Sequence, residues 1–206
     1  MFEWINFTIM ILSLIIFSVL YFISTMPVTL SERRGQKAWK ECRNLRIIAS
    51  FFELLVVLTP ILWIWFPIPE LDWKIFSQWW IGLIVGSFIT IPGGIILYKG
   101  VKDAGKETLS PSKDTKMYSG IYKFIRHPQI AGAMPMFPAL GLALNSWFLF
   151  TLFLVYIILY MPIMKHFEEK DLVKRFGDSY IQYQKTTRAY FPKWSVFKTQ
   201  IRKKRK

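Results

Sequence analysis

Long apolar segments alternate with basic segments along the chain, and this pattern predicts its architecture. A bilayer core about 30 Å thick is crossed by about 20 apolar residues in a helix. Three such spans are predicted, from Trp4 to about Met26, from Ile47 to about Phe66 and from Trp79 to Tyr98. A fourth apolar segment, from Ile130 to Met164, is too long for one helix. Because Asn145-Ser146 lies near its middle, we predict a two-helix hairpin there.

The pattern therefore predicts an all-α integral membrane protein with five transmembrane helices. The basic residues predict its orientation, because cytosolic segments carry an excess of lysine and arginine. Of the 27 lysines and arginines, 26 lie in three segments, namely 26–46, 99–129 and the chain from Lys165 onward. With five spans these segments fall on one side, so the N-terminus is predicted outside and the C-terminus in the cytosol. Lys74 is the one basic residue on the other side.

Composition narrows the class of protein further. Hydrophobic residues make up 53% of the 206 residues, and the net charge is +14. The apolar spans exclude a soluble globular enzyme. Since the basic residues follow the orientation rule, the membrane and not a nucleic acid is the predicted partner. The single cysteine, Cys42, excludes an internal disulfide and a cysteine-based metal cage, and no metal site is predicted.

Two polar clusters flank the predicted hairpin. Arg126-His127-Pro128 precedes its first arm, and Glu168-Glu169 follows its second arm. Antiparallel arms bring both clusters to the same membrane depth, so we expect the arginine and histidine to contact the carboxylates. Each cluster taken alone is typical of a solvated helix end. A separate acid, Glu53, lies about two turns inside the second span, where a carboxylate is costly. We expect it to reach the cytosolic surface or to pair with Lys99 or Lys102.

The clusters belong to two longer motifs that resemble the signature blocks of a known family. The first motif is Gly-Ile-Tyr-Lys-Phe-Ile-Arg-His-Pro at 120–128. The second spans 168–183 and contains Glu168-Glu169, Leu172, Phe176-Gly177, Tyr180 and Tyr183. Together they resemble the isoprenylcysteine carboxyl methyltransferases and the related phospholipid methyltransferases over about residues 99–193. The resemblance implies an integral-membrane methyltransferase that binds S-adenosylmethionine at the cytosolic end of the hairpin.

The resemblance also implies which residues form the site. Arg126, His127 and Glu169 are expected to be catalytic, with His127 or Glu169 assisting the deprotonation of an amine acceptor. Glu168 is expected to face the sulfonium and ammonium groups of the cofactor, and Arg126 its carboxylate. The expected cofactor-binding residues are Lys116, Met117, Gly120, Tyr122, His127, Pro128, Gln129 and Glu168.

The expected acceptor is a lipid or lipidated molecule that enters laterally from the bilayer. Its reacting atom is left open among carboxylate oxygen, thiol sulfur and amine nitrogen. Ile130 stands where the family usually has tyrosine, and Met164 stands where the prenylcysteine enzymes place an arginine against the substrate carboxylate. Pro92-Gly93-Gly94 is expected to kink or break the third span and to contribute to the lateral gap.

Two alternatives to methyl transfer stay open. An NADPH-dependent reductase of the sterol-reductase type has a similar hairpin, and a non-catalytic membrane homologue would account for the changes at Ile130 and Met164. The predicted division is three N-terminal spans at 1–98, a catalytic region at 99–193 and a basic tail at 194–206. The expected location is a prokaryotic cell membrane or the endoplasmic reticulum, with the active site facing the cytosol.

Overall fold

The computed structural model describes residues 1–113 and 118–193, and these form a bundle of α-helices. The helices are α1 (Phe2–Ser24), α2 (Pro27–Arg34), α3 (Lys37–Leu62), α4 (Trp79–Ala104), α5 (Pro128–Ala133), α6 (Met136–Ala143), α7 (Trp147–Phe176) and α8 (Asp178–Thr186). Short 3₁₀ turns occur at Pro69–Leu71, Gly105–Thr108 and Gly120–Lys123. Within the described ranges, the only strand-like pairing is one isolated bridge between Ile125 and Arg188. The all-α prediction is confirmed.

Four helices among the described residues are long and apolar enough to cross a membrane, namely α1, α3, α4 with its following turn, and α7. They correspond to four of the five predicted spans. The remaining predicted span is not one continuous helix but the two short helices α5 and α6, of six and eight residues. Pro135 lies between them, and a proline lacks the backbone N–H that would continue the ladder of α5.

The turn predicted at Asn145-Ser146 is confirmed. Asn145 has a left-handed backbone with φ of 55°. Its side-chain oxygen accepts hydrogen bonds from the backbone N–H groups of Ile75 and Phe76 at 3.1 and 2.7 Å. Ser146 caps α7 by accepting a hydrogen bond from the N–H of Leu149 at 3.2 Å. The turn is therefore tied to the segment that leads into α4.

Glycines allow α4 and α5 to approach at backbone distance. A Cβ atom on Gly132 would lie 2.5 Å from the carbonyl oxygen of Gly93, so only glycine fits there. Helix α4 also runs without a break through Pro92-Gly93-Gly94. The expectation of a break at this segment is wrong, because the helix continues through the proline and Gly93 packs against α5.

The described parts of the three basic segments converge at one end of the bundle. Asp171 of α7 accepts hydrogen bonds from the N–H groups of Val28 and Thr29 at 3.2 and 2.7 Å, and so caps α2. Arg46 of α3 donates to the carbonyl oxygens of Glu107 and Thr108 at 2.9 and 3.0 Å. These contacts join α2, α3, α7 and the end of α4 around the polar region in which the predicted site residues lie.

Candidate functional site

The loop before α5 is held by backbone pairing with the segment after α8. The N–H of Arg126 donates to the carbonyl oxygen of Arg188 at 3.0 Å, and the N–H of His127 donates to that of Ala189 at 3.0 Å. Helix α8 follows α7 directly after Gly177, whose φ of 57° allows the chain to turn. The returning chain therefore brings the arginine and histidine against α7.

Arg126 and His127 meet Glu169 of α7 in a buried ion-pair network. Glu169 Oε1 accepts hydrogen bonds from Arg126 Nε at 2.9 Å and Nη2 at 2.6 Å, and it lies 2.9 Å from His127 Nε2. Glu169 Oε2 accepts a hydrogen bond from Gln184 at 3.0 Å. Arg126 Nη1 donates to the carbonyl oxygens of Gln184 and Thr187. Both oxygens of Glu169 and all three nitrogens of Arg126 are thus engaged by protein groups.

His127 is positively charged at neutral pH in this network. Burial by itself lowers its pKa, but the carboxylates of Glu168 and Glu169 raise the pKa to about 9. Its Nδ1 lies 3.1 Å from Glu168 Oε2, and its Nε2 faces Glu169. Both ring nitrogens of His127 are therefore held by carboxylates of α7.

The raised pKa of His127 predicts a pH-dependent stability. A histidine pKa of about 9 in the fold, against about 6.5 when unfolded, adds stability that is complete below about pH 6.5 and is lost as pH rises through about 9. The melting temperature of the wild type should therefore exceed that of a His127→Asn variant most at about pH 6. The difference should shrink towards about pH 10.

His166, the other histidine, provides the matched control. It is exposed and has no ion pair within the described chain. A His166→Asn variant should follow the wild type at every pH. A His127→Asn difference that stays constant from about pH 6 to about pH 10 would contradict the assigned charge.

A polar cavity of about 820 Å³, including its open mouth, lies beside the network. Six of the predicted site residues line it, namely Tyr122, Arg126, His127, Pro128, Gln129 and Glu168. Glu169 is not among the lining residues, because its side chain points into the ion-pair network. Gly120 is also outside the lining, and its φ of 55° marks a turn. Lys116 and Met117 lie outside the described residues.

Glu168 is the acid of the described lining that keeps an unpaired oxygen. Asp171 caps α2, and Glu107 forms a buried ion pair with Arg175. Oε2 of Glu168 is buried and faces Nδ1 of His127 at 3.1 Å, whereas Oε1 has no hydrogen bond or ion pair among the described residues. A carboxylate that lines a cavity and keeps one oxygen free fits a ligand that carries positive charge.

The N-terminal helices contribute lining residues that the two motifs did not indicate. Tyr21 and Thr25, at the end of α1, and Arg46 of α3 line the cavity. Nε of Arg46 is buried and has no hydrogen-bond partner. In the sequence Arg46 was one of several cytosolic basic residues, and nothing in that pattern distinguishes it from the others. The cavity therefore extends beyond the region 99–193 that was expected to form the site.

Comparison with known families agrees with this geometry. Residues 81–179 match the family model of the phospholipid methyltransferases. This region of the chain is therefore similar to that family. The matched region runs from α4 into the start of α8 and includes the first motif and the second as far as residue 179, so the resemblance stated from them is confirmed. It also includes Glu168 and the six-residue helix α5.

Curated relatives point to the same class of protein. The chain is 31% identical over 151 residues to a methanethiol S-methyltransferase from Pseudomonas sp. (strain GM41(2012)), covering 67% of this chain and 56% of that relative. It is 30% identical over 152 residues to the methanethiol S-methyltransferase of Pseudomonas deceptionensis, and the match covers 66% of this chain and 55% of that relative. The methanethiol S-methyltransferase 1 of Bradyrhizobium diazoefficiens is 25% identical to the chain over 179 residues, and the match covers 79% of this chain and 61% of that relative. The chain thus spans little more than half the length of the first two relatives. No solved structure matches it.

Proposed function

We propose that this protein is an S-adenosylmethionine-dependent methyltransferase of a membrane, acting on a lipid or another apolar acceptor. The observation that carries the proposal is the carboxylate of Glu168, which lines the polar cavity and makes no hydrogen bond among the described residues. When bound, the cofactor supplies a methyl group on a sulfonium, and a carboxylate in a poorly hydrated site binds a sulfonium or an ammonium group well. The family of residues 81–179 supports the same class of reaction.

The residues of the cavity have separate tasks in this proposal. Glu168 binds the positive end of the cofactor, and His127 lies beside it. Arg126 is engaged with Glu169 and backbone carbonyls, so it positions the network and does not bind the cofactor carboxylate. Arg46 is the positively charged side chain that suits the cofactor carboxylate, because its Nε is buried and makes no hydrogen bond within the protein. Methyl transfer then depends mainly on holding the two reactants in line.

The membrane setting follows from the four long apolar helices. We propose that the polar cavity opens to the cytosol, because it lies where the described parts of the three basic segments meet, and in the sequence these segments carry 26 of the 27 basic residues. The acceptor enters from the bilayer side. The relatives are named for methanethiol and the family for phospholipids, so uncharged thiols and lipid headgroups are both acceptor candidates for this chain.

The proposal is tested by binding and by turnover with the full chain in lipid nanodiscs. Calorimetry should show binding of S-adenosylmethionine with a Kd of about 10 μM, and S-adenosylmethionine labelled on the methyl group should transfer label to a lipid extract. NADPH is the control ligand, because a reductase of the sterol-reductase type would bind it instead. Binding of NADPH but not of S-adenosylmethionine would overturn the proposal, and binding of neither would favour a non-catalytic membrane homologue.

A further inference from the structure

A second cavity adjoins the polar cavity within the apolar part of the bundle. Its volume is about 680 Å³ including its opening, and apolar side chains of α1, α4 and α5 form most of its wall. It shares five lining residues with the polar cavity, namely Tyr21, Arg46, Thr108, Gln129 and Ile130. The two cavities therefore adjoin at these residues, with no complete helix between them. Ile130, which replaces the tyrosine usual in the family, is one of the shared residues.

Glu53 is the one acid among the described residues that line the second cavity. It is half-buried, and it makes no hydrogen bond or ion pair within the described chain. The expected pairing with Lys99 or Lys102 is thus not found there. Arg46 is the one basic residue among the described residues that line the second cavity, and its guanidinium already donates hydrogen bonds to three backbone carbonyls. A carboxylate inside an apolar span costs roughly 2.5–3.5 kcal/mol and usually serves a function.

We propose that the second cavity is the acceptor site and that Glu53 is its specificity-determining residue. Glu53 selects an acceptor with a protonatable, hydrogen-bond-donating nitrogen on an apolar chain, in preference to a carboxylate or a thiol. A carboxylate acceptor would face a like charge at Glu53, and a thiol would offer it only a weak donor. This inference rests on the proposed function, since it places the acceptor in the cavity that adjoins the one lined by Glu168.

The same residue can remove the proton that blocks an amine acceptor. A protonated amine first gives one proton to the Glu53 carboxylate, which frees the nitrogen lone pair. The lone pair then forms the new N–C bond while the S–C bond of the methyl donor breaks, with its electron pair remaining on sulfur. His127 is already protonated and Glu169 is fully engaged, so neither is free for this step.

The inference is tested with three acceptors of equal chain length, dodecylamine, dodecanethiol and dodecanoate, presented to the full chain in nanodiscs. The wild type should methylate dodecylamine with the highest kcat/KM. A Glu53→Gln variant should bind dodecylamine about tenfold to about a hundredfold more weakly, measured in the absence of methyl donor. Its KM for the amine should rise by the same factor, whereas its Kd for S-adenosylmethionine should not change and its melting temperature should not fall.

Glu41→Gln is the matched control, because Glu41 lies on the same helix but is exposed and pairs with Arg34. It should behave as the wild type in every assay. Equal dodecylamine affinity in the wild type and Glu53→Gln, or a wild-type preference for dodecanoate or dodecanethiol, would overturn the inference while leaving the proposed function in place. Failure of the wild type to bind S-adenosylmethionine would instead overturn the proposed function.

Discussion

Replacing Glu168 by glutamine is expected to weaken the binding of S-adenosylmethionine by about a hundredfold or more. The substitution keeps the shape of the side chain but removes the negative charge. Because Glu168 lines the polar cavity and only its Oε2 faces a protein cation, His127, its other oxygen is available to a cationic ligand. Loss of one member of a buried charge pair typically costs about 2–5 kcal/mol in binding, which corresponds to about thirtyfold to several thousandfold in Kd.

Calorimetry on the full chain in nanodiscs measures this effect directly. Glu70→Gln is the control, since Glu70 is exposed in the connection between α3 and α4 and should leave the Kd unchanged. Melting curves of both variants show whether the fold is retained. An unchanged Kd in a folded Glu168→Gln variant would refute the assignment of this carboxylate to the cofactor.

Replacing Glu169 by glutamine should act mainly on stability, lowering the free energy of unfolding by about 3–5 kcal/mol. The variant leaves Arg126 and the protonated His127 without their shared carboxylate. Their side chains are only 8% and 4% exposed, so water cannot take over that role. Unfolding in mixed micelles of increasing SDS content, followed by tryptophan fluorescence, measures the loss.

An exposed ion pair serves as the comparison for Glu169→Gln. Glu32 pairs with Lys174 of α7 at 2.9 Å, with side chains 56% and 34% exposed. A Glu32→Gln variant should lose no more than about 1 kcal/mol, because water screens such pairs. If Glu169→Gln proved no more damaging than Glu32→Gln, the network would not be the structural centre that its geometry indicates.

The pattern of apolar and polar residues determined much of the architecture. The length and hydropathy of the apolar segments predicted the four continuous spans, because a bilayer demands about 20 apolar residues in each helix. The short polar pair Asn145-Ser146 predicted the turn before α7. The spacing of the two motifs predicted that Arg126 and His127 would meet a carboxylate of α7, since antiparallel arms return to the same depth.

Only the tertiary structure decided which groups remain free for a ligand. Glu168 and Glu169 are neighbours in the sequence, but successive residues of a helix point about 100° apart, so one lines the cavity and the other pairs with Arg126. The motifs could not show that every nitrogen of Arg126 is engaged, because two of its acceptors are backbone carbonyls of the segment around α8.

Helix packing likewise decided which residues of the N-terminal helices line the two cavities. Arg46 and Glu53 carry no motif, and they become cavity residues only because α3 faces α4 and α5 in the bundle. The division of one predicted span into α5 and α6 depends on Pro135 together with the close contact of Gly132 and Gly93. Hydropathy and motif spacing are local properties of a chain, whereas the pairing of a side chain depends on which distant segments surround it.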